Sequence, residues 1–240
     1  MAPEATKGRS TPFVTMRYLS VTINVSVPYC MRFALIAPVL LGTVSLAARA
    51  QSAIHEYRPE VVITSPRIHG FGAQVLFEQH IETGKFAPNE RIVGIGIVVP
   101  PFHALRGLVE VRQVQTPTAF EHRYIPTILS TVPLGAGFEM RNRTRVELRA
   151  INGAWSQRFQ DRSAFGHDVE IAHVPVFTYG QFDVSYDSRF HTLNRIEKTA
   201  GARVPIATGA SVDLFFTRQD DTRRATRLLY ATGAIVRVVL

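Results

Sequence analysis

Six charged side chains fall on every second position between Phe138 and Ala150: Glu139, Arg141, Arg143, Arg145, Glu147 and Arg149. The positions between them, Met140, Asn142, Thr144, Val146 and Leu148, carry no charge. A row of guanidiniums can attract anions along a pore lining. It can also pair with carboxylates on neighbouring segments and fill an interior. The period decides the element that carries the row. On a helix these charges would be spread around the cylinder, whereas on a strand they share one face. A slip of one residue would exchange the two faces. If the uncharged face meets lipid, each arginine moved to the midplane costs ~2–4 kcal/mol, which makes the slipped register prohibitive. The charged face must then be wet or internally paired. Glu121, Glu147, Asp168 and Glu170 are the carboxylates expected to take these arginines.

Other constellations of chemistry-bearing residues do not form. There is no His-Glu-x-x-His, and His167 and His173, six apart on one strand face, lack the spacing of a metal pair and read as wall or rim residues. Gly94-Ile95-Gly96 lies in an apolar strand with no helix after it, which excludes the dinucleotide fingerprint. No Gly-x-Ser-x-Gly occurs, and serine, histidine and aspartate are too plentiful for any one trio to stand out. The sequence therefore assigns no catalytic residue, no metal site and no cofactor.

The elements that must position the ladder are also strands. After residue 50 apolar residues recur at every second position, and no segment has a helical period. Breakers such as Thr64-Ser65-Pro66, Pro100-Pro101, Gly135-Ala136-Gly137 and Asn152-Gly153 separate the segments. Eleven candidates follow: 54–64, 71–82, 91–99, 104–115, 119–131, 138–150, 156–172, 176–187, 194–205, 210–219 and 225–240. They exceed the ~5–6 residues usual for strands of soluble proteins and match the ~9–11 residues that cross a bilayer. Residues 51–240 are thus predicted to form one closed, antiparallel, up-and-down transmembrane β-barrel. Bacterial single-chain barrels have even strand numbers, so about ten or twelve strands are expected. In the last segment Thr226, Leu228, Tyr230, Thr232, Ala234, Val236, Val238 and Leu240 share an uncharged face, as suits the strand that closes a barrel. Counting back from it places 187–194, 219–224 and 82–90 at the outer rim. A barrel of this size is narrower than the porins of about 16–18 strands, which favours a packed ion-pair network over an open pore.

The start of the chain reads as an export signal. Met31-Arg32 is a short positive start, Phe33 to Leu46 is an apolar run, and Ala48-Arg49-Ala50 is a small-x-small cleavage site. The run is shorter than the ~20 residues a spanning helix needs, and it contains Pro38. Residues 1–30 have no targeting character and are read as a start-site artefact or an unstructured extension, with translation beginning at Met31. A native peptide from before Met31, found by mass spectrometry, would contradict that start. Removing residues 1–50 takes away five Lys/Arg and one Glu, and the net charge falls from +8 to +4. So mild a basicity gives no ground for a nucleic-acid partner. The one cysteine, Cys30, is lost with the leader, which leaves no thiol chemistry and no disulfide.

Several motifs together resemble a known bacterial family. Glu121-His122-Arg123 opens one strand, and Arg141-Asn142-Arg143-Thr144-Arg145-Val146-Glu147-Leu148-Arg149 fills the next. Asn194-Arg195 follows an aromatic segment, Phe177 to Tyr186, and precedes Gly201, while Phe215 to Gln219 reads Phe-Phe-Thr-Arg-Gln. This pattern is similar to the family called domain of unknown function 2490. The resemblance covers most of residues 51–240 and is firmest from Glu121 onward. It implies an outer-membrane β-barrel and supplies no substrate. Glu121, Arg123, Asn194 and Arg195 are the further candidate residues it marks. The family often has a carboxylate in the aromatic strand, where this chain has Gln181 or Asp183.

The leading expectation is an outer-membrane barrel with a structural or binding role, or a narrow pore with an arginine-rich lumen. Its partners would be membrane lipid, lipopolysaccharide and the barrel-assembly machinery. One alternative is a soluble periplasmic β-barrel that holds an apolar ligand, and another is an outer-membrane enzyme with its site at the rim. The alternating pattern alone does not separate the first two, because inside and outside simply exchange.

Overall fold

The computed structural model describes residues 53–85, 88–222 and 227–240. The expected leader (31–50) and the extension before it (1–30) lie outside the described residues. The described chain is all β: β1 (Ile54–Thr64), β2 (Gly72–Glu82), β3 (Pro88–Val98), β4 (Leu105–Gln115), β5 (Phe120–Gly135), β6 (Phe138–Ile151), β7 (Ala154–Ile171), β8 (Val174–Asp187), β9 (Thr192–Ala207), β10 (Ala210–Asp221) and β11 (Leu228–Val239). Each strand pairs with the next, and β1 pairs with β11, so the sheet closes into a barrel.

The strand number corrects the expectation of an even count. All eleven alternating segments are strands of the wall. Consecutive strands are antiparallel throughout, so an odd number leaves the first and last running the same way. The closing pair β1/β11 is accordingly parallel, with Ile54 opposite Leu229 and Thr64 opposite Val239. The barrel is therefore a mixed sheet, not the wholly antiparallel one expected.

Tight turns set the register between neighbours. Asn152 and Gly153 link β6 to β7 with φ of 48° and 88°, the two left-handed residues of a type I′ hairpin. Ala172 and His173 do the same between β7 and β8, at 51° and 63°, without a glycine. The ends of β2, β4, β6, β8 and β10 lie where β1 begins, here called the N-terminal rim. The connections at 65–71, 99–104, 136–137, 172–173 and 208–209 lie at the other, C-terminal rim. Of the three segments expected together, the described parts (82–85, 88–90, 187–194 and 219–222) lie at one rim.

Burial settles which face points inward. Glu147, Gln219, Asp183, Asp187 and Asp213 are at most 1% exposed. Ile95 is 63% exposed, and Val93, Ile97, Val109, Val111, Tyr124 and Ile128 are exposed beside it on the outer wall. The interior is thus charged and the exterior mainly apolar, interrupted by Asp161, which accepts from Asn142 and Thr144 on the outer face of β6. One inner patch is apolar: Val62, Leu76, Ile92 and Val114 pack together, with Ile235 against them.

Glycines make room on the inner wall. A single row across the sheet runs Gly166, Tyr179, Gly201, Phe215, Gly233, each directly opposite the next on β7 to β11. The Tyr179 ring covers Gly201, and the Phe215 ring covers Gly233, in space that a β-carbon would need. Large and small residues so alternate around the curve. Gly94 and Gly96 serve a similar purpose. They stand opposite Arg112 and Glu110, whose aliphatic stems lie against them, while Ile95 points outward.

Candidate functional site

The ladder on β6 faces the interior, and most of its charges are paired. Glu147 sits between two guanidiniums: Arg145 Nη2 is 2.8 Å from one carboxylate oxygen, and Arg158 Nε donates to the other at 2.8 Å. Arg149 donates to Glu121 on β5, and through Nη1 to Asp187 on β8 at 2.8 Å. The second bond passes over β7 at Ser156, which stands directly opposite Arg149 and is small enough to be crossed. Arg141 pairs with Glu139 on its own strand, and its guanidinium lies 4.3 Å from the centre of the Phe177 ring. Arg143 differs from the other five: neither its Nε nor its Nη2 has a hydrogen-bond partner.

The pairing extends well beyond the ladder. Arg123 donates through Nε to Glu121 at 3.0 Å and through Nη2 to Glu90 on β3 at 3.3 Å. Glu90 lies 3.3 Å from Nδ1 of His80 on β2, whose Nε2 is 2.7 Å from Glu78. His80 Nδ1 is also 3.8 Å from Glu56 on β1, which accepts from Arg58 Nε at 3.0 Å. Arg58 Nη2 then donates to Gln219 Oε1 on β10 at 3.0 Å. This girdle links β8, β6, β5, β3, β2, β1 and β10 near the N-terminal rim. At the rim itself Arg189, in the turn after β8, donates to Asp187 through its backbone and side chain. Those bonds raise the Arg189 pKa and hold the guanidinium in its charged form.

Further toward the C-terminal rim the contacts are local. Arg162 donates to Asp183, which also accepts from Gln181. Asp213 takes Arg203 on one side at 2.6 Å and Arg237 on the other at 2.9 Å, joining β9, β10 and β11. Arg112 Nη2 donates to Glu110 at 3.0 Å.

The residues marked by the family resemblance fall within this frame. Glu121 and Arg123 are girdle members. Arg195 pairs with Asp221 at 3.2 Å and lies 3.7 Å from Glu197. The Asn194 carbonyl accepts from the Thr222 amide at 2.9 Å, which ties the start of β9 to the chain after β10. The Asn194 side-chain oxygen is itself buried without a hydrogen-bond partner, so the tie is made by the Asn194 backbone and the Arg195 side chain.

Two expected partners of the ladder are corrected. Asp168 and Glu170 are exposed near the turn at 172–173, and Glu170 takes the His173 ring at 3.0 Å. β7 and β8 run past the ladder there, so these carboxylates stand beyond its reach. His167 and His173 are engaged separately, since His167 stacks on Phe138 at 3.9 Å. Among the described residues no cluster of three or more His, Cys, Asp or Glu could hold a metal ion. The carboxylates that take the arginines instead include Asp183 and Asp187. Their signal is the polar alternation Gln181, Asp183, Ser185, Asp187 along β8, interleaved with its aromatic residues. Glu56, Arg58 and His80 carry no local signal, and Gln219 is marked only as the end of the Phe-Phe-Thr-Arg-Gln motif.

Fold and site together define a closed eleven-stranded barrel whose charged interior is cross-linked by ion pairs. Comparison with protein-family models, with curated proteins and with solved structures yields no match for this chain. Its resemblance to domain of unknown function 2490 accordingly rests on the motifs alone.

Proposed function

We propose that the mature chain is a bacterial outer-membrane β-barrel with a structural or binding role, its lumen filled by the ion-pair network. The observation that carries this is the inversion of polarity. Fully buried side chains include Glu147, Asp183, Asp187 and Asp213, while Ile95, Val93 and Val111 stand exposed on the outside. In water such a wall would leave a broad apolar surface uncovered, and such surfaces mark contact with lipid or protein. Strands of 11 to 18 residues are long enough to cross the hydrocarbon layer. A periplasmic carrier of an apolar ligand would need the opposite arrangement, because its cavity would be lined by these carboxylates and guanidiniums. The bridges from β6 to β8 and from β1 to β10 each pass over one intervening strand and tie inward charges to the wall, which favours a structural role for these charges.

The experiment is gel mobility of the outer-membrane fraction, boiled against unboiled. A heat-dependent change in apparent size, confined to that fraction, is the expected result. Recovery from the soluble periplasm with no such change would overturn the membrane assignment.

A further inference from the structure

We propose that the middle of the barrel interior binds a small oxyanion, and that the Arg143 guanidinium is the centre of the site. The proposal rests on the charged interior and not on the membrane assignment.

Arg143 stands directly opposite another arginine, Arg162 on β7, and opposite Leu129 on β5. Directly opposed residues have β-carbons ~4.5–5.5 Å apart, so two like charges share one small volume. Its same-face neighbours along β6 are Arg141 and Arg145. Each of these three arginines has its own carboxylate: Arg141 has Glu139, Arg145 has Glu147 and Arg162 has Asp183. Arg143 has none, and its Nε and Nη2 are buried without an acceptor. Glu147 is shared with Arg158, so the inner face of this stretch of β6, β7 and β8 sets five guanidiniums against three carboxylates, Asp161 being turned to the outer face.

Unpaired donors outnumber unpaired acceptors beside Arg143, where Gln160 Oε1, opposite Arg145, and Asp183 Oδ1 are the acceptors left open. Arg145 Nε and the Thr127 hydroxyl, which stands opposite Arg145, are also buried without protein partners. A buried cation without a counter-charge is strongly destabilising, and a guanidinium fork is shaped to take two oxygens of one anion. A cation would be repelled here, and a neutral ligand would leave the excess charge in place. An ion presenting two oxygens and at least one negative charge satisfies both demands. Phosphate, sulfate and a simple carboxylate are such ions.

The barrel purified in detergent micelles tests this by calorimetric titration with sodium phosphate, against sodium chloride at matched ionic strength. A saturable response with one site per barrel is expected. R143Q should weaken it by roughly tenfold to a hundredfold, the loss typical of charge-assisted hydrogen bonds. Without phosphate R143Q should melt no lower than the wild type, since it removes an unpaired charge; a merely structural arginine would lower the melting temperature. R143K keeps the charge but loses the fork, and it should bind several-fold more weakly. No saturable response of the wild type to phosphate, sulfate or acetate would overturn the proposal. So would an unchanged phosphate affinity in R143Q or, should that variant fail to fold, in R143K.

Discussion

Phe215 lies directly opposite Gly233 across the β10–β11 pair, and its ring fills the space a β-carbon on that glycine would need. The Arg58 carbonyl on β1 crowds the same point from the other side, 2.5 Å from such a β-carbon. Gly233 is thus where the parallel seam and its neighbour close against each other. Gly233→Ala should destabilise the barrel by roughly 1–3 kcal/mol, the usual penalty of overpacking. Trimming Phe215 to leucine should not restore it, because the backbone carbonyl remains. At Gly166 the crowding atoms all belong to the Phe177 ring. Gly166→Ala should therefore recover in the background of Phe177→Leu. Urea unfolding of the four variants decides the point, and equal rescue at both glycines would contradict it.

Glu147 is fully buried between Arg145 and Arg158. Replacing it with glutamine leaves two buried guanidiniums without their counter-charge. The expected loss is about 3–5 kcal/mol, the range for breaking a buried ion pair from one side. Exchanging all three residues for apolar ones of similar volume should recover most of that loss. Unfolding midpoints of the single and triple variants give the comparison.

Arg58 and Gln219 are separated by 161 positions and joined by one hydrogen bond over β11. Gln219→Leu removes the acceptor and should cost about 1–3 kcal/mol. Gln219→Glu keeps the acceptor but sets a carboxylate directly opposite Glu197 on β9, so it should recover only part of the leucine variant's loss. A glutamate variant as unstable as the leucine variant would show that the bond contributes nothing.

Ile95 points out of the wall from the middle of β3. If that wall meets hydrocarbon, Ile95→Arg should cost ~2–4 kcal/mol when the barrel is unfolded from lipid vesicles. On a water-facing surface the same change should stay within about 0.5 kcal/mol. The measurement therefore tests the membrane assignment without reference to cell fractionation.

Much of this fold is legible in the chain. The alternation from Phe138 to Ala150 identifies a strand and sorts its charges to one face, because successive side chains of an extended backbone point to opposite sides. The same local rule marks all eleven strands, with bounds within a few residues of those observed. Asn152-Gly153 announces its hairpin because a left-handed pair suits those two residues. The even count failed for a reason outside local pattern: the direction of the closing pair follows from how many strands close the ring.

Tertiary structure alone decided which face turned inward. Alternation is symmetric under exchange of inside and outside, so the ladder had to be seen against its neighbours. It also chose the partners. Asp187 for Arg149, Gln219 for Arg58 and Phe215 for Gly233 are set by curvature and register across the sheet. Pairing of that kind is a property of the closed ring, and no segment of the chain contains it.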